Sequence, residues 1–243
     1  MSNVLADAAA TYSRNIRLVL LFSIPFLISF LIPVVAPLPA YVSGGAIFLR
    51  TSGLFVNTNP ISLAIIVLAL FFSLLFLSFA FVAISLIVKA EKTHTAITKS
   101  VLHNLEKYTG KVFLVLLFYV FVIMLADIAG YFVNASGIVT AVVGFFAFMA
   151  IFYAPTAIVI DNKRIGVALK DSARLSFNRP QYFLLWLVLI IATVSLLDFL
   201  LIHSVGGVYS AYALLVINSL FVVPYFVIYQ AHAYMRRFQI LRH

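Results

Sequence analysis

The sequence contains no cysteine, which excludes disulfides, thiolate-held zinc and thiol catalysis. Acids are almost as scarce, with seven Asp and Glu in 243 residues. So few carboxylates leave little for general acid–base chemistry, which needs them placed beside one another or beside a histidine. Charged residues of both signs make up only 9%, whereas a soluble domain carries about a quarter. Catalytic signatures are missing as well. There is no Gly-rich phosphate loop, no Gly-x-Ser-x-Gly elbow and no His-Glu-x-x-His. His203 follows Asp198 by five residues, and His94 and His103 stand nine apart, so no ligand spacing for a metal arises. The chain reads as non-enzymatic, without catalytic residues, metal or cofactor.

What fills the space is apolar. Hydrophobic residues make up 65% of the chain and aromatics 15%, and the mean hydropathy is +1.16. A soluble domain of this size exposes too much surface to hide that much apolar side chain. A soluble enzyme, a disordered chain and a fibre are excluded, and an integral membrane protein is expected.

Uncharged runs cover residues 18–49, 51–88, 112–126, 128–160, 181–197 and 199–235. A spanning helix needs roughly 20 apolar residues, and the runs are continuous rather than alternating, which argues against a β-barrel. Cutting them at turn signals predicts an all-α fold with six spans, about 16–35, 61–88, 112–133, 138–160, 182–203 and 209–234, in a single domain. Asn134-Ala135-Ser136-Gly137 and Ser204-Val205-Gly206-Gly207 are connections short enough to predict helical hairpins. The first span lies too late and runs too long for a cleaved signal peptide, so it is expected to be retained. The glycosylation pattern Asn134-Ala135-Ser136 sits in a tight turn, where modification is not expected.

Orientation follows from basic residues. Arg14 and Arg17, then Lys89, Lys92, Lys99, Lys107 and Lys111, then Lys163, Arg164, Lys170, Arg174 and Arg179, and finally Arg236, Arg237 and Arg242 fall on one side. Arg50 alone falls on the other. Fifteen of sixteen cations on one side predict a multi-pass protein of the cell membrane with both termini cytoplasmic.

The cytoplasmic connections carry a second pattern. Ile97, Val101 and Leu105 recur every four residues, as do Ile165, Leu169, Ala173 and Phe177. Both predict short amphipathic helices lying in the headgroup layer. The two connections also align, Ala96-Ile-Thr-Lys-Ser100 with Ala168-Leu-Lys-Asp-Ser172 at an offset of 72. Asp127 aligns with Asp198 at 71, and Phe152-x-x-Pro155 with Phe221-x-x-Pro224 at 69. Offsets this close predict one two-helix unit used three times, in parallel orientation.

The stretch Phe152-Tyr-Ala-Pro155-Thr-Ala-Ile-Val-Ile-Asp161-Asn-Lys-Arg-Ile-Gly166-Val-Ala168-Leu-Lys170-Asp-Ser172 resembles a hallmark of prokaryotic six-helix membrane proteins. These are the membrane domains of certain glycerophosphodiester phosphodiesterases and their uncharacterised stand-alone relatives. The resemblance implies the six-helix architecture and no chemistry, because the hydrolase barrel of the fused enzymes is absent.

Three charged residues lie in apolar surroundings. Asp127 and Asp198 fall inside spans, where a carboxylate is costly and marks either a proton or cation relay or a neutral or paired group. Arg50 ends the apolar segment from Tyr41, which is expected to be re-entrant or a short interfacial helix. Such a placement would pair Arg50 with one of the aspartates. Pro25, Pro33, Pro155 and Pro224 kink helices or mark their ends, freeing carbonyls that could line a cavity. Tyr108, Tyr131, Tyr182 and Trp186 fit interfacial belts.

Two functional classes follow. One is a transport or channel subunit with a polar site near Asp127, Asp198 and Arg50. The other is a scaffold or assembly subunit, alone or as a homo-oligomer. Its Lys99, Lys107, Lys111, Lys170, Arg174, Arg179, Arg236 and Arg237 would meet anionic lipid or a membrane-protein partner. Nucleic acid is a remote third class, because membrane orientation already accounts for the cations. A water path reaching both aspartates would separate the first class from the second.

Overall fold

In a computed structural model, the protein is described over residues 2–35, 40–43, 46–49, 60–93, 97–204 and 207–236. Ten α-helices appear among these residues: α1 Ser2–Arg14, α2 Ile16–Val35, α3 Pro60–Lys92, α4 Ile97–Phe132 and α5 Ser136–Ile151, then α6 Ala154–Ile160, α7 Ile165–Asn178, α8 Pro180–Ser204, α9 Gly207–Ile217 and α10 Val223–Arg236. Six stretches are long and apolar enough to cross a membrane: Ile16–Val35, Leu63–Lys92, Val101–Phe132, Ser136–Ile160, Pro180–Ser204 and Tyr209–Arg236. They match the six predicted spans, and the protein is a multi-pass membrane protein.

Helix α2 packs on α3, α3 on α4, α4 on α5 and α8 on α9, while α10 returns to α3. At the α4–α5 turn, Gly130 has no substitute. A Cβ there would stand 2.5 Å from the Ser136 Cα, and the chain reverses through Asn134 at φ 53°. Halfway along α2 and α3, Ser29 and Ser73 each donate a hydroxyl proton to the other's carbonyl oxygen, at 2.8 and 2.9 Å. Such pairs join helices where lipid offers no hydrophobic driving force.

Burial is uneven along the bundle. The end where α3 finishes, α4 begins, α7 lies and α10 stops carries most of the basic residues, and here it is called the basic end. Ala80–Val88 of α3 (all but Phe81), Ile151–Val159 and most of Phe226–Met235 are buried there. Towards the far end, Phe71, Phe72, Phe121, Phe132, Phe146 and Phe199 are exposed, as lipid-facing side chains would be. No residue in the most apolar stretch of α8 is buried, against half in that of the last span.

Four expectations need correction. Ala40–Ser43 and Ala46–Leu49 are strands, not the interfacial helix that is one of the two expectations for this segment. The two pair antiparallel, a small addition to an otherwise helical architecture among the described residues. Tyr41, Val42, Ile47 and Phe48 are strand-formers. The first connecting helix is not separate either. It runs unbroken into the third span as α4, because Val101, Leu105, Tyr108, Val112 and Val115 keep one buried stripe and no proline interrupts it. Helix α7 is separate, ending before Pro180, but it buries Ala168, Ser172, Leu175 and Ser176 against α5 and α6 and leaves Phe177 exposed. Tyr108 is buried rather than interfacial.

Helix α1 answers to no expectation. It lays Val4, Ala8 and Thr11, one helical face, against α10.

Candidate functional site

Both spans that carry the Phe-x-x-Pro pattern break at it. The fourth span stops at Phe152–Tyr153 between α5 and α6, one turn before Pro155 becomes harmless at the start of α6. The last span widens into a π turn at Asn218–Val222, where the Val223 N–H reaches the Asn218 carbonyl, just before Pro224. Backbone groups released at the first break do not line a cavity. The Gln230 side-chain amide of α10 donates to the Phe152 carbonyl. The Tyr153 N–H donates to Ser172 Oγ of α7 at 2.9 Å. Each freed group is satisfied by a neighbouring helix, as burial requires.

Beyond α6 the chain turns through Asn162 at φ 52°, a left-handed conformation that asparagine tolerates. This folds Lys163 back between two acids, 3.0 Å from Asp161 and 2.9 Å from Asp171 on α7. Lys163 also donates to the Tyr234 hydroxyl at 3.1 Å, and that hydroxyl donates to Asp161 at 2.6 Å. Burial pulls the Lys163 ammonium down. Hydrogen bonds with Tyr234, Asp171 and Asp161 outweigh it and hold the group above the ordinary lysine range. The resulting clasp joins the α6–α7 loop, α7 and α10.

Two further attachments close the basic end. Thr11 Oγ1 lies 3.1 Å from His232 Nε2, fixing α1 to α10. Arg14 and Asn15 both reach Glu91 at the end of α3, at 3.4 and 3.0 Å. Beside them Lys89 donates to the Val159 carbonyl at 2.7 Å. Lys89, Lys107 and Lys111 also surround the Tyr108 ring at 5.3–5.8 Å, within cation–π range.

The predicted intramembrane residues do not converge among the described residues. Asp127 is half-buried and accepts from Thr140 Oγ1 of α5 at 3.3 Å. Asp198 is half-buried on α8 and has no partner among the described residues. Arg50, with its expected ion pair, lies outside the described residues, as do Arg237 and the side chain of Lys99. Of the predicted basic face, Lys107, Lys170, Arg174, Arg179 and Arg236 are exposed and Lys111 is half-buried.

Recesses indent the described residues at two places that bear on the site. One lies between α3 and α4, lined by Phe79, Leu102, Leu105, Glu106, Thr109 and Gly110. The other lies at the basic end, lined by Tyr153, Leu175, Arg179, Tyr182, Ala233 and Arg236. Neither touches Asp127 or Asp198. Among the described residues no three His, Asp or Glu gather closely enough to hold a metal ion.

The clasp escaped sequence reasoning because its members are up to 73 residues apart and Lys163 counted only as one more cytoplasmic cation. The signal was present in Asp161-Asn-Lys163, a carboxylate and an ammonium flanking a turn residue. No protein family, curated protein or solved structure matches the chain.

Proposed function

We propose that the protein is a non-enzymatic membrane scaffold whose basic end gathers anionic lipid. One observation carries this reading. The ordered polar architecture gathers at the basic end, where Lys107, Lys170, Arg174, Arg179 and Arg236 are exposed, while the far end is apolar with many exposed aromatic side chains. A packed platform with exposed cations suits attraction to an acidic membrane surface, about 1 kcal/mol per basic residue. A three-fold use of one two-helix unit fits the same picture, since two spans break at the same Phe-x-x-Pro pattern. Hydroxyls also follow the aspartates at similar distances, Thr140 after Asp127 and Ser210 after Asp198.

The transport reading draws on the same broken helices and on Asp198. It needs a water path to the aspartates, and neither of the two recesses described above touches them.

Reconstitution tests both. In vesicles rich in phosphatidylglycerol the protein should unfold several degrees higher than in phosphatidylcholine, with the gain removed by 1 M salt. Proton flux should equal that of empty vesicles. A flux that Asp127→Asn abolishes would overturn the scaffold reading. For orientation in the cell membrane, a single cysteine at 170 should label only from the cytoplasm and one at 135 only from outside; the chain has no cysteine to interfere.

A further inference from the structure

Helix α7 turns to the outside a face that the rest of the chain leaves uncovered. Its inner face, Ala168, Ser172, Leu175 and Ser176, is buried against α5 and α6. Two ties lock it there: Ser172 Oγ accepts the Tyr153 N–H, and Asp171 pairs with Lys163 at 2.9 Å. On the opposite side Val167, Lys170, Arg174 and Phe177 follow at spacings of three, four and three residues, which is one helical face. All four are exposed, Val167 at 51% and Phe177 at 50%. Neither Lys170 nor Arg174 has an ion pair among the described residues. This face is not the stripe of Ile165, Leu169, Ala173 and Phe177 that the sequence marks, of which only Phe177 is exposed.

Charge and height together name the occupant. Lys170 and Arg174 stand one turn apart, and like charges so placed destabilise a helix until an anion lies across them. An apolar side chain flanks the cations on either side, the two about 15 Å apart along the axis. Height follows from the chain's path. The fourth spanning stretch ends at Ile160 with α6, and the fifth opens at Pro180 with α8. Both ends of α7 are therefore held where spans leave the bilayer, and the helix runs along the headgroup layer. There Val167 and Phe177 reach the acyl boundary, while the long stems of Lys170 and Arg174 carry their charges back to the phosphates. We infer that α7 rests this outer face on the surrounding leaflet, with Val167 and Phe177 inserted and Lys170 and Arg174 paired with anionic phospholipid. This placement rests on the scaffold reading and names the part of the basic end that grips lipid.

The chain has no cysteine, so nitroxide labels go in one at a time, at Val167→Cys and Phe177→Cys, in the full chain reconstituted in phosphatidylglycerol vesicles. Collision with oxygen, which dissolves in acyl chains, is compared with collision with a water-soluble nickel chelate. Both labels should meet oxygen more than the chelate. Adding Lys170→Gln and Arg174→Gln should raise chelate contact about fivefold or more, the effect of one basic residue at an acidic surface. All four side chains are exposed, so these variants should unfold in detergent at the wild-type temperature. Chelate contact unchanged by loss of the two cations, or the same oxygen preference in phosphatidylcholine, would overturn anionic lipid as the occupant. A chelate preference at both labels with the cations intact would overturn the placement and turn this face to a soluble acidic partner. The scaffold reading is read separately. A phosphatidylglycerol-dependent gain in unfolding temperature, supplied by Lys107 and Arg236, would leave it standing, and no gain in the wild type would overturn it.

Discussion

The two ends of this bundle are built on different rules. At the basic end, the short helices α1, α6 and α7 are cross-tied: α1 on α10, α7 on α6, and the Lys163 clasp binding three segments. At the far end, the stretches of α4, α5 and α8 are apolar, and polar ties are scarce among the described residues. Asp127 with Thr140 is one of the few described there. Lipid explains the contrast. Apolar side chains gain little by leaving acyl chains for one another, so packing there depends on small residues and hydrogen bonds. Near water the ordinary hydrophobic effect returns, and buried area stabilises. Stability should therefore concentrate at the basic end.

Four substitutions test that contrast. Lys163→Met should cost most, about 2 kcal/mol in detergent, because it leaves Asp161 facing Asp171 with no cation. The side chains are about a fifth to a third exposed, which holds the loss below that of a fully buried pair. Its pH dependence has a definite sign. The folded-state pKa of Lys163 is raised, so its contribution is whole below the ordinary lysine pKa of about 10.4 and fades as pH rises through the folded value. Thermal scans from pH 6 to 9 should show a constant gap between variant and wild type. A gap that closes by pH 8 would remove the ammonium from the clasp.

Gly130→Ala is the far end's exception. With a Cβ pressed against the Ser136 backbone, it should cost about 1–2 kcal/mol, and a neutral result would mean the far turn is free to adjust. Asn162→Val should cost about 1 kcal/mol, while Asn162→Gly stays neutral; equal effects would show that backbone strain is not what selects asparagine. Asp198→Asn should be smallest, under about 0.5 kcal/mol by thermal unfolding. A larger loss would reveal a partner for Asp198 and weaken the contrast.

Legibility in the sequence divides along the same line. The far end was readable because uncharged runs declare spans directly, and the six predicted segments fall on the six apolar stretches. The basic end was not, because its order comes from distant partners. Val4, Ala8 and Thr11 mark a helical face, but nothing nearby in sequence says that His232 receives it. Pro155 announced a break correctly, yet only folding showed that Gln230 and Ser172 would satisfy the freed backbone. Lys111 and Arg179 share a charge, while one faces Tyr108 and the other lines a recess. Thr140, thirteen residues from Asp127 across a tight turn, was within reach of sequence reasoning.

The π turn at Asn218–Val222 sets the phase of everything after it. A π turn holds one residue more than an α turn, and each residue advances a helix by about 100°. Were these five residues wound as ordinary α-helix, the last helix would be rotated by about that angle. Gln230 would leave the Phe152 carbonyl, His232 would leave Thr11, and Tyr234 would leave Asp161, all together. One loosened turn midway through the membrane thus acts as a clutch, aligning three separate contacts at the opposite end of its helix.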